Sequence, residues 1–259
     1  MIDVADVNVR RLRATCGASS QLRAGALVVA HRDPEPHGDR QVLVEDCELA
    51  VGSGQQGLAC IHCLVVTLRN NVVRQARPGF PMRLGVVVAG AVASEVRIQD
   101  NRVYGAAQGI KVALSQEEEE RGEALRVEHL SIQGNRVEVA LLEEGAGSDP
   151  PPYFGIGVGN AESVLIRDNR VLGKTAWPSS LRESNIGVHL HGDYGPRVLV
   201  RENHVSGLDI GLQLEAPGLT AQPDGIWSVH ANVCETRTML VAPAWLRTSA
   251  TRGDKNVLV

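Results

Sequence analysis

The chain has 259 residues, of which 43% are hydrophobic, 22% are charged and only 3% are aromatic, and its net charge is −4. This balance is that of an ordinary folded domain, and a weakly acidic chain lacks the general basic field that favours nucleic acid, so we expect no nucleic-acid partner. With so few rings, the core must be built from Val, Ile, Leu and Ala, whose β-branched members favour strands.

The first segment, residues 1–40, begins MIDVADVNVRRLRATCG and lacks the apolar centre of a signal peptide. No apolar run approaches the roughly 20 residues that span a membrane, so we expect no membrane association. Five cysteines are too few for a disulfide framework at this length. The location is therefore unknown from sequence, with a reducing cytoplasm as the default. We expect an N-terminal cap or an irregular first coil here, with GALVVAH (25–31) as a strand.

From residue 41 to residue 240 one short motif recurs, in which two apolar residues alternate with polar ones before an Asn and a Val. Its clearest copies are VRIQDNRVYG (96–105), LSIQGNRVEV (130–139), VLIRDNRVLG (164–173) and VLVRENHVSG (198–207). The central Asn occurs at positions 71, 101, 135, 169, 203 and 232, and Cys47 takes the equivalent position in the first copy. Spacings of 24 to 34 residues are typical of stacked repeats.

A second apolar segment follows each copy of the motif. The copies are GLAC (57–60), LGVVV (84–88), GIKVAL (109–114), GIGV (155–158), IGVHL (186–190) and DIGLQL (209–214). Strict alternation predicts strands rather than helices. Parallel stacking about 4.8 Å apart turns equal positions into columns. We expect one inward column of Val103, Val137, Val171, Val205 and Cys234, extended by Val73 and Leu49. We also expect the Asn side chains to form a hydrogen-bonded ladder along one corner of the solenoid. Asn suits such a corner because it tolerates the left-handed backbone conformation.

This repeat, seen as IRDNRV with GIGV and as VRENHV with IGLQL, resembles that of the pectin-lyase-like superfamily over roughly residues 40–240. The resemblance implies an all-β fold, a single-stranded, right-handed parallel β-helix of about seven coils. That superfamily hosts lyases, hydrolases, epimerases, phage tailspikes and structural modules, so the resemblance indicates a fold and not a chemistry. The Asp clusters of its calcium-dependent lyases and the paired carboxylates of its hydrolases are missing from the predicted outward columns.

The last segment, residues 241–259, closes on DKNVLV, which predicts a further strand or cap. An open last coil would expose strand edges. We therefore expect the chain to continue into a longer parent protein, or to be covered by a partner, as in an oligomer.

Three long inserts leave the predicted solenoid from the same corner. They are RQARPGFPMR (74–83), ALLEEGAGSDPPPYF (140–154) and GKTAWPSSLRESN (173–185), and they carry Phe80, Tyr153, Phe154 and Trp177. One interpretation is that aromatic loops wall a ligand groove, because loops on repeats usually carry binding function. The other is that these rings pin long loops onto the solenoid.

The segment HLHGDY (189–194) holds the candidate catalytic residues His189, His191 and Asp193, with Glu215 on a neighbouring coil. The outward positions around it supply candidate ligand-binding residues, and three of the glycines would form a flat floor for a sugar: Lys111, Gly157, Gly159, Gly187 and Gln213. The alternative is a surface His pair beside a Gly-Asp-Tyr-Gly turn. His-x-His is also a metal-ligand pair, but no definite third ligand is apparent, so we assign no metal and no cofactor.

Two further patterns have competing interpretations. A lone Cys60-x-x-Cys63 suits a metal or a redox site, but Cys60 takes the position of Val112, which predicts a core cysteine. The stacked residues Arg102, Arg136 and Arg170 suit an anionic polymer, or else pair with acidic residues in the same corners: Asp100, Asp168 and Glu202.

The sequence therefore supports three functional hypotheses. The first is a β-helix binding module whose loop-walled side contacts a glycan or a partner protein, with no evident catalysis. The second is a carbohydrate-active enzyme, a polysaccharide lyase, hydrolase or epimerase, that acts in the His189, His191 and Asp193 region. The third is a structural scaffold in a phage-like or surface assembly.

Overall fold

The computed structural model describes residues 6–17, 25–31, 40–90, 92–112, 126–141, 152–173, 180, 184–192, 194–215, 225–243, 246 and 257–258. It confirms the predicted fold class, because the protein is all-β and its parallel sheets form a solenoid. The solenoid makes about six turns, against about seven predicted. Its right-handedness stays a prediction. Among the described residues there is no helix of the length and apolar character that a membrane crossing requires.

The described part of the chain contains 24 strands. In chain order they are β1 (Asp6–Arg10), β2 (Arg13–Thr15), β3 (Gly25–Ala30), β4 (Gln41–Glu45), β5 (Glu48–Val51), β6 (Gln56–Ile61), β7 (Val65–Arg69), β8 (Val72–Gln75), β9 (Met82–Ala89), β10 (Val92–Gln99), β11 (Arg102–Val112), β12 (Arg126–Gln133), β13 (Arg136–Val139), β14 (Tyr153–Val158), β15 (Ala161–Arg167), β16 (Arg170–Gly173), β17 (Asn185–His191), β18 (Tyr194–Arg201), β19 (His204–Ser206), β20 (Ile210–Glu215), β21 (Ile226–His230), β22 (Val233–Glu235), β23 (Thr238–Val241) and β24 (Val257–Leu258). Each predicted second segment is largely strand.

The strands fall into two parallel sheets. The first has eight strands in the order β1-β4-β7-β10-β12-β15-β18-β21, and the other sixteen form the second. Every step pairs equal positions of successive coils, as where Val164 of β15 lies opposite Leu130 of β12 and Val198 of β18. Strands β1, β2 and β3 follow the same rule, with Val7 opposite Val42. The division into a cap at 1–40, a solenoid at 41–240 and a C-terminal segment at 241–259 stays a prediction.

The predicted asparagine ladder is present where the chain passes from the first sheet to the second. In each pair, one Oδ1 accepts both the backbone N–H and the side-chain amide of the Asn one coil earlier. For Asn71 and Asn101 these distances are 3.0 and 2.9 Å. The backbone N–H of Cys47 begins the series by donating to Asn71 Oδ1 at 3.0 Å. The ladder gives hydrogen-bond partners to buried corner amides that are not paired within either sheet.

One detail of this corner differs from the prediction. The left-handed conformation belongs to the residue before each ladder Asn, as at Asp100, with φ of 56°, and Asp168, with φ of 55°. The ladder Asn is not among the residues with positive φ, because its side chain must point into the solenoid to reach the next coil. The residue before the ladder Asn therefore makes the turn, and the side chain of the ladder Asn points into the solenoid.

The core is built from stacked aliphatic columns. The predicted inward column is fully buried from Leu49 and Val73 through Val103, Val137, Val171 and Val205 to Cys234. A column of glycines packs directly against it at positions 57, 85, 109, 155, 187 and 211. A Cβ on Gly155 would lie 2.2 Å from Val171 Cγ1 and 2.8 Å from the carbonyl oxygen of Gly187. Glycine is required here because the chain bends against the core.

This glycine bend changes which side chains point outward. Gly155 and Ile156 are neighbours in sequence, and both face the interior. Phe154 and Gly157 both lie outside, since a Cβ on Gly157 would meet the Phe154 ring at 2.5 Å. Side chains along β14 therefore do not alternate strictly between the inner and outer faces at this point. The bend decides which residues lie on the outer face.

Candidate functional site

The register of the second sheet brings six of the predicted site residues onto one outer face. Lys111 pairs with Gly157, Gly157 with His189, and His189 with Gln213, which makes a single outward column. His191 pairs with Glu215 two residues further along the strands. The side chains of β17 and β20 thus meet across adjacent coils.

The predicted glycine floor does not form. Gly187 belongs to the inward column, because a Cβ there would lie 2.4 Å from Val205 Cγ1. Gly157 is outward, but the Phe154 ring lies against it. Gly159 is half-buried, and its N–H donates to the carbonyl oxygen of Val112 at 2.7 Å. Gly157 lies level with His189 and not with Gly187.

Tyr153 and Phe154 are packed more deeply than a ligand groove requires, whereas Phe80 is 44% exposed. Tyr153 is 2% exposed and belongs to the main core. Phe154 is 5% exposed, packs with Ile186 and Ile210, and meets the His189 ring edge-on at a centroid distance of 6.4 Å. These positions favour the second interpretation of the two rings, in which they support the surrounding chain. Trp177 and Asp193 lie outside the described residues.

His189, His191 and Glu215 form a compact cluster on this face. Glu215 Oε2 lies 3.6 Å from His189 Nε2 and 3.4 Å from His191 Nδ1. The two imidazole rings are 5.7 Å apart between centroids. The cluster is open to solvent on one side, because the side chain of His191 is 61% exposed and that of Glu215 is 44% exposed. We call these three residues the histidine–glutamate cluster.

The neighbouring Gln213 orients the carboxylate of this cluster. Its Nε2 donates to Glu215 Oε1, which leaves Oε2 to face the two histidines. Two polar atoms here are buried and have no hydrogen-bond partner among the described residues, namely His189 Nε2 and Gln213 Oε1. Buried polar atoms are rarely left without partners, and such exceptions often mark sites that complete their bonding with a ligand.

The protonation states follow from this environment. Burial lowers the pKa of His189 below its ordinary value, and this effect outweighs the opposing attraction of Glu215. Burial tends to raise the pKa of Glu215, but the hydrogen bond from Gln213 and the proximity of the two histidines bring it below its ordinary value. At neutral pH the cluster therefore presents a neutral His189 imidazole beside an ionised carboxylate.

Of the three stacked arginines, Arg136 has an acidic partner among the described residues, and two arginines of the neighbouring strands, Arg167 and Arg201, also lie near carboxylates. Arg136 approaches Glu138 at 3.5 Å and lies 5.9 Å from the centre of the Tyr104 ring. Arg167 lies 3.5 Å from Asp168. In a neighbouring coil, Arg201 lies 4.0 Å from Glu202. Internal pairing of this kind favours the structural interpretation of the arginine columns.

The Cys60-x-x-Cys63 pair occupies core positions, as predicted from its place in the repeat. Cys60 lies opposite Val88 and is fully buried, and Cys63 is also buried. Both thiols are free. The hydrogen bond between the two thiols raises the pKa of Cys60 and lowers that of Cys63. Because both cysteines are buried, the histidine–glutamate cluster is the more solvent-accessible of the two candidate sites.

Neither protein-family models, nor curated proteins, nor solved structures match this chain. Within the ranges that the structure describes, His189, His191 and Glu215 are the only three metal-ligating side chains found so close together.

Proposed function

We propose that this protein is a ligand-binding β-solenoid and that a glycan binds at the outer face around the histidine–glutamate cluster. The observation that supports this proposal is the convergence of His189, His191, Gln213 and Glu215 from two adjacent coils. Repeat proteins commonly bind ligands with residues that differ from the repeat pattern. His189 and Gln213 are polar, whereas the same outward column holds Ala59 and Val87 in earlier coils.

The chemistry of the face suits a hydroxyl-rich ligand. A neutral imidazole and an amide each offer both a donor and an acceptor, and the carboxylate adds further acceptors. Sugar hydroxyls both donate and accept, so they match such a mixed set. The likeness of the repeat to the pectin-lyase-like superfamily points toward the same ligand class. A partner protein is the alternative occupant of this face.

Glycan binding is tested with an array of neutral and acidic polysaccharide fragments, followed by calorimetry on each fragment that binds. His191→Ala and Glu215→Gln should weaken binding by about tenfold or more, because each removes a group that bonds the ligand. His204→Ala is the matched control, since His204 also pairs with a glutamate, Glu235, at 3.1 Å but lies on a different part of the surface. The absence of any glycan whose binding depends on His191 or Glu215 would contradict the proposal.

The second candidate function is catalysis on a polysaccharide by elimination, hydrolysis or epimerisation. The observation that favours it is the buried, neutral His189, which has the protonation state of a general base. The assay follows unsaturated uronates, new reducing ends and epimer content after incubation with polysaccharides. A double variant, His189→Ala with His191→Ala, should lose activity by about 10²-fold or more. Unchanged activity in that variant would exclude this site as the catalytic centre.

A further inference from the structure

We infer that the histidine–glutamate cluster is a binding site for a divalent transition-metal ion, with Zn²⁺ as the best fit. The ligand atoms are an imidazole nitrogen from each of His189 and His191 and a carboxylate oxygen of Glu215. Sequence spacing alone offers only the two histidines. The third ligand appears because the register of β17 and β20 places Glu215 directly opposite His191.

The distances within the cluster are close to those of a metal centre. Zinc bonds of roughly 2.0–2.2 Å place tetrahedral ligand atoms about 3.3–3.5 Å apart. Two of the three edges are already near this length, at 3.6 Å for His189 to Glu215 and 3.4 Å for His191 to Glu215. All three ligand atoms lie within 4.8 Å of one another. A rotation of the exposed His191 side chain is enough to close the third edge.

The surroundings supply what a metal ligand needs. Gln213 holds Glu215 Oε1 and directs Oε2 toward the histidines, which is the role of an outer-shell partner at metal sites. His189 Nε2 is buried, makes no hydrogen bond among the described residues and faces the Glu215 carboxylate, so the neutral tautomer with its lone pair on Nε2 can ligate an ion. The Phe154 ring limits the movement of the His189 ring. His189 therefore acts as the fixed ligand and His191 as the adjustable one.

The donor set selects the class of ion. Two imidazoles with one carboxylate suit Zn²⁺ and neighbouring transition metals, whereas Ca²⁺ and Mg²⁺ prefer oxygen ligands throughout. Three protein ligands leave a fourth position open, as in zinc sites that bind a small molecule. This inference deepens the proposed function, because a hydroxyl of the ligand is the natural occupant of that position.

The test is calorimetric titration of chelator-treated protein with ZnCl₂, together with the visible spectrum of the Co²⁺ form. The wild-type protein should bind one equivalent of Zn²⁺. His191→Ala and Glu215→Gln should lose at least about tenfold in affinity, and Gln213→Ala about 10–100-fold. His204→Ala should bind as the wild type does. Far-UV circular dichroism and urea midpoints check that each variant keeps its fold.

Several results would overturn the metal site. One is the absence of saturable, equimolar Zn²⁺ binding by the wild-type protein. Another is undiminished affinity in His191→Ala or Glu215→Gln, and a third is an equal loss in His204→Ala. Glycan binding by the chelator-treated protein is measured separately. If that binding persists while Zn²⁺ fails to bind, only the metal inference falls; if Zn²⁺ binds and no glycan does, only the glycan proposal falls.

Discussion

Asn169 Oδ1 accepts two hydrogen bonds from Asn135, one from the side-chain amide at 2.9 Å and one from the backbone N–H at 3.0 Å. The Asn169 amide in turn donates to the carbonyl oxygen of Ile132 at 3.0 Å and to Asn203 Oδ1 at 2.9 Å. One buried side chain therefore connects three coils. The ladder supplies hydrogen bonds to the buried polar groups of the corner, and it fixes how neighbouring coils align.

Replacing Asn169 with Ala should destabilise the protein strongly. The substitution leaves buried N–H groups of Asn135 and the buried Ile132 carbonyl without partners, and each such loss costs about 1–3 kcal/mol. We expect a loss of about 3 kcal/mol or more in the free energy of unfolding, measured in urea. Asn8→Ala is the control, because Asn8 is exposed and bonds only locally with Arg10; it should change stability by less than about 0.5 kcal/mol. Equal effects of the two substitutions would show that the ladder has no special role.

Gly155→Ala should also be costly, for a steric reason. The added Cβ would lie 2.2 Å from Val171 Cγ1, and the packed core has no room to move away. Overpacking of this kind costs about 1–3 kcal/mol, which a urea midpoint detects. Gly17→Ala should be nearly neutral, since a Cβ there has nothing within 4 Å. A neutral Gly155→Ala would mean that the bend does not require glycine.

Glu45 should make stability depend on pH. A hydrogen bond from Arg69, with the nearby charge of Arg10, holds the pKa of Glu45 below its ordinary value in the folded protein. A carboxyl with a depressed folded pKa contributes stability above its unfolded pKa of about 4.3, and that contribution is lost as pH falls through the folded value.

Urea unfolding of wild type and Glu45→Gln from pH 7 to pH 3 measures this contribution. The wild type should be the more stable at pH 7, and the difference should shrink as the pH falls below about 4. Glu202→Gln is the control, since Glu202 is exposed and its closest approach to Arg201 is 4.0 Å. A difference that stays constant over the whole range would rule out the proposed titration.

The cysteines should separate into two classes by reactivity. Cys16 is partly exposed, whereas Cys47, Cys60, Cys63 and Cys234 are buried. Burial also raises the pKa of Cys234 to about 11, which suppresses its thiolate. With Ellman's reagent the native protein should show one fast thiol, absent in Cys16→Ser, and denatured protein should show all five. Two or more fast thiols in the native state would contradict the core assignment of the CIHC segment.

The repeat in the sequence was sufficient to predict the fold. A fixed Asn with flanking apolar residues implies columns, and both the Asn ladder and the valine column from Val103 to Val205 are where the repeat placed them. The columns were predictable because every coil obeys the same rule, so a single alignment on Asn sets the register of all of them.

The outer face was harder to predict because it depends on a local bend. Strict alternation treats Gly155 and Gly157 as equivalent outward positions, but the contact between Gly155 and Val171 turns one of them inward. Gly157 pairs with His189, and Gly187 belongs to the inward column, so the two glycines do not share the outer face. Alternation fails wherever a glycine lets the backbone approach the core.

The alignment of the second segments predicted Glu215 on the coil next to His191, and the register confirms this placement. The distance of 3.4 Å between the two side chains could not be predicted. The role of Gln213 as a partner of the carboxylate follows from the same register. Such contacts depend on side-chain directions, which a repeat pattern does not specify.

The central claim is that the outer face around the histidine–glutamate cluster is the functional site. Anomalous X-ray diffraction at the zinc edge tests it, with crystals of the chelator-treated protein soaked in ZnCl₂. We predict one dominant peak within about 2.2 Å of the ligand atoms of His189, His191 and Glu215. The absence of density there, or a peak of equal height beside His204 and Glu235, would contradict the account.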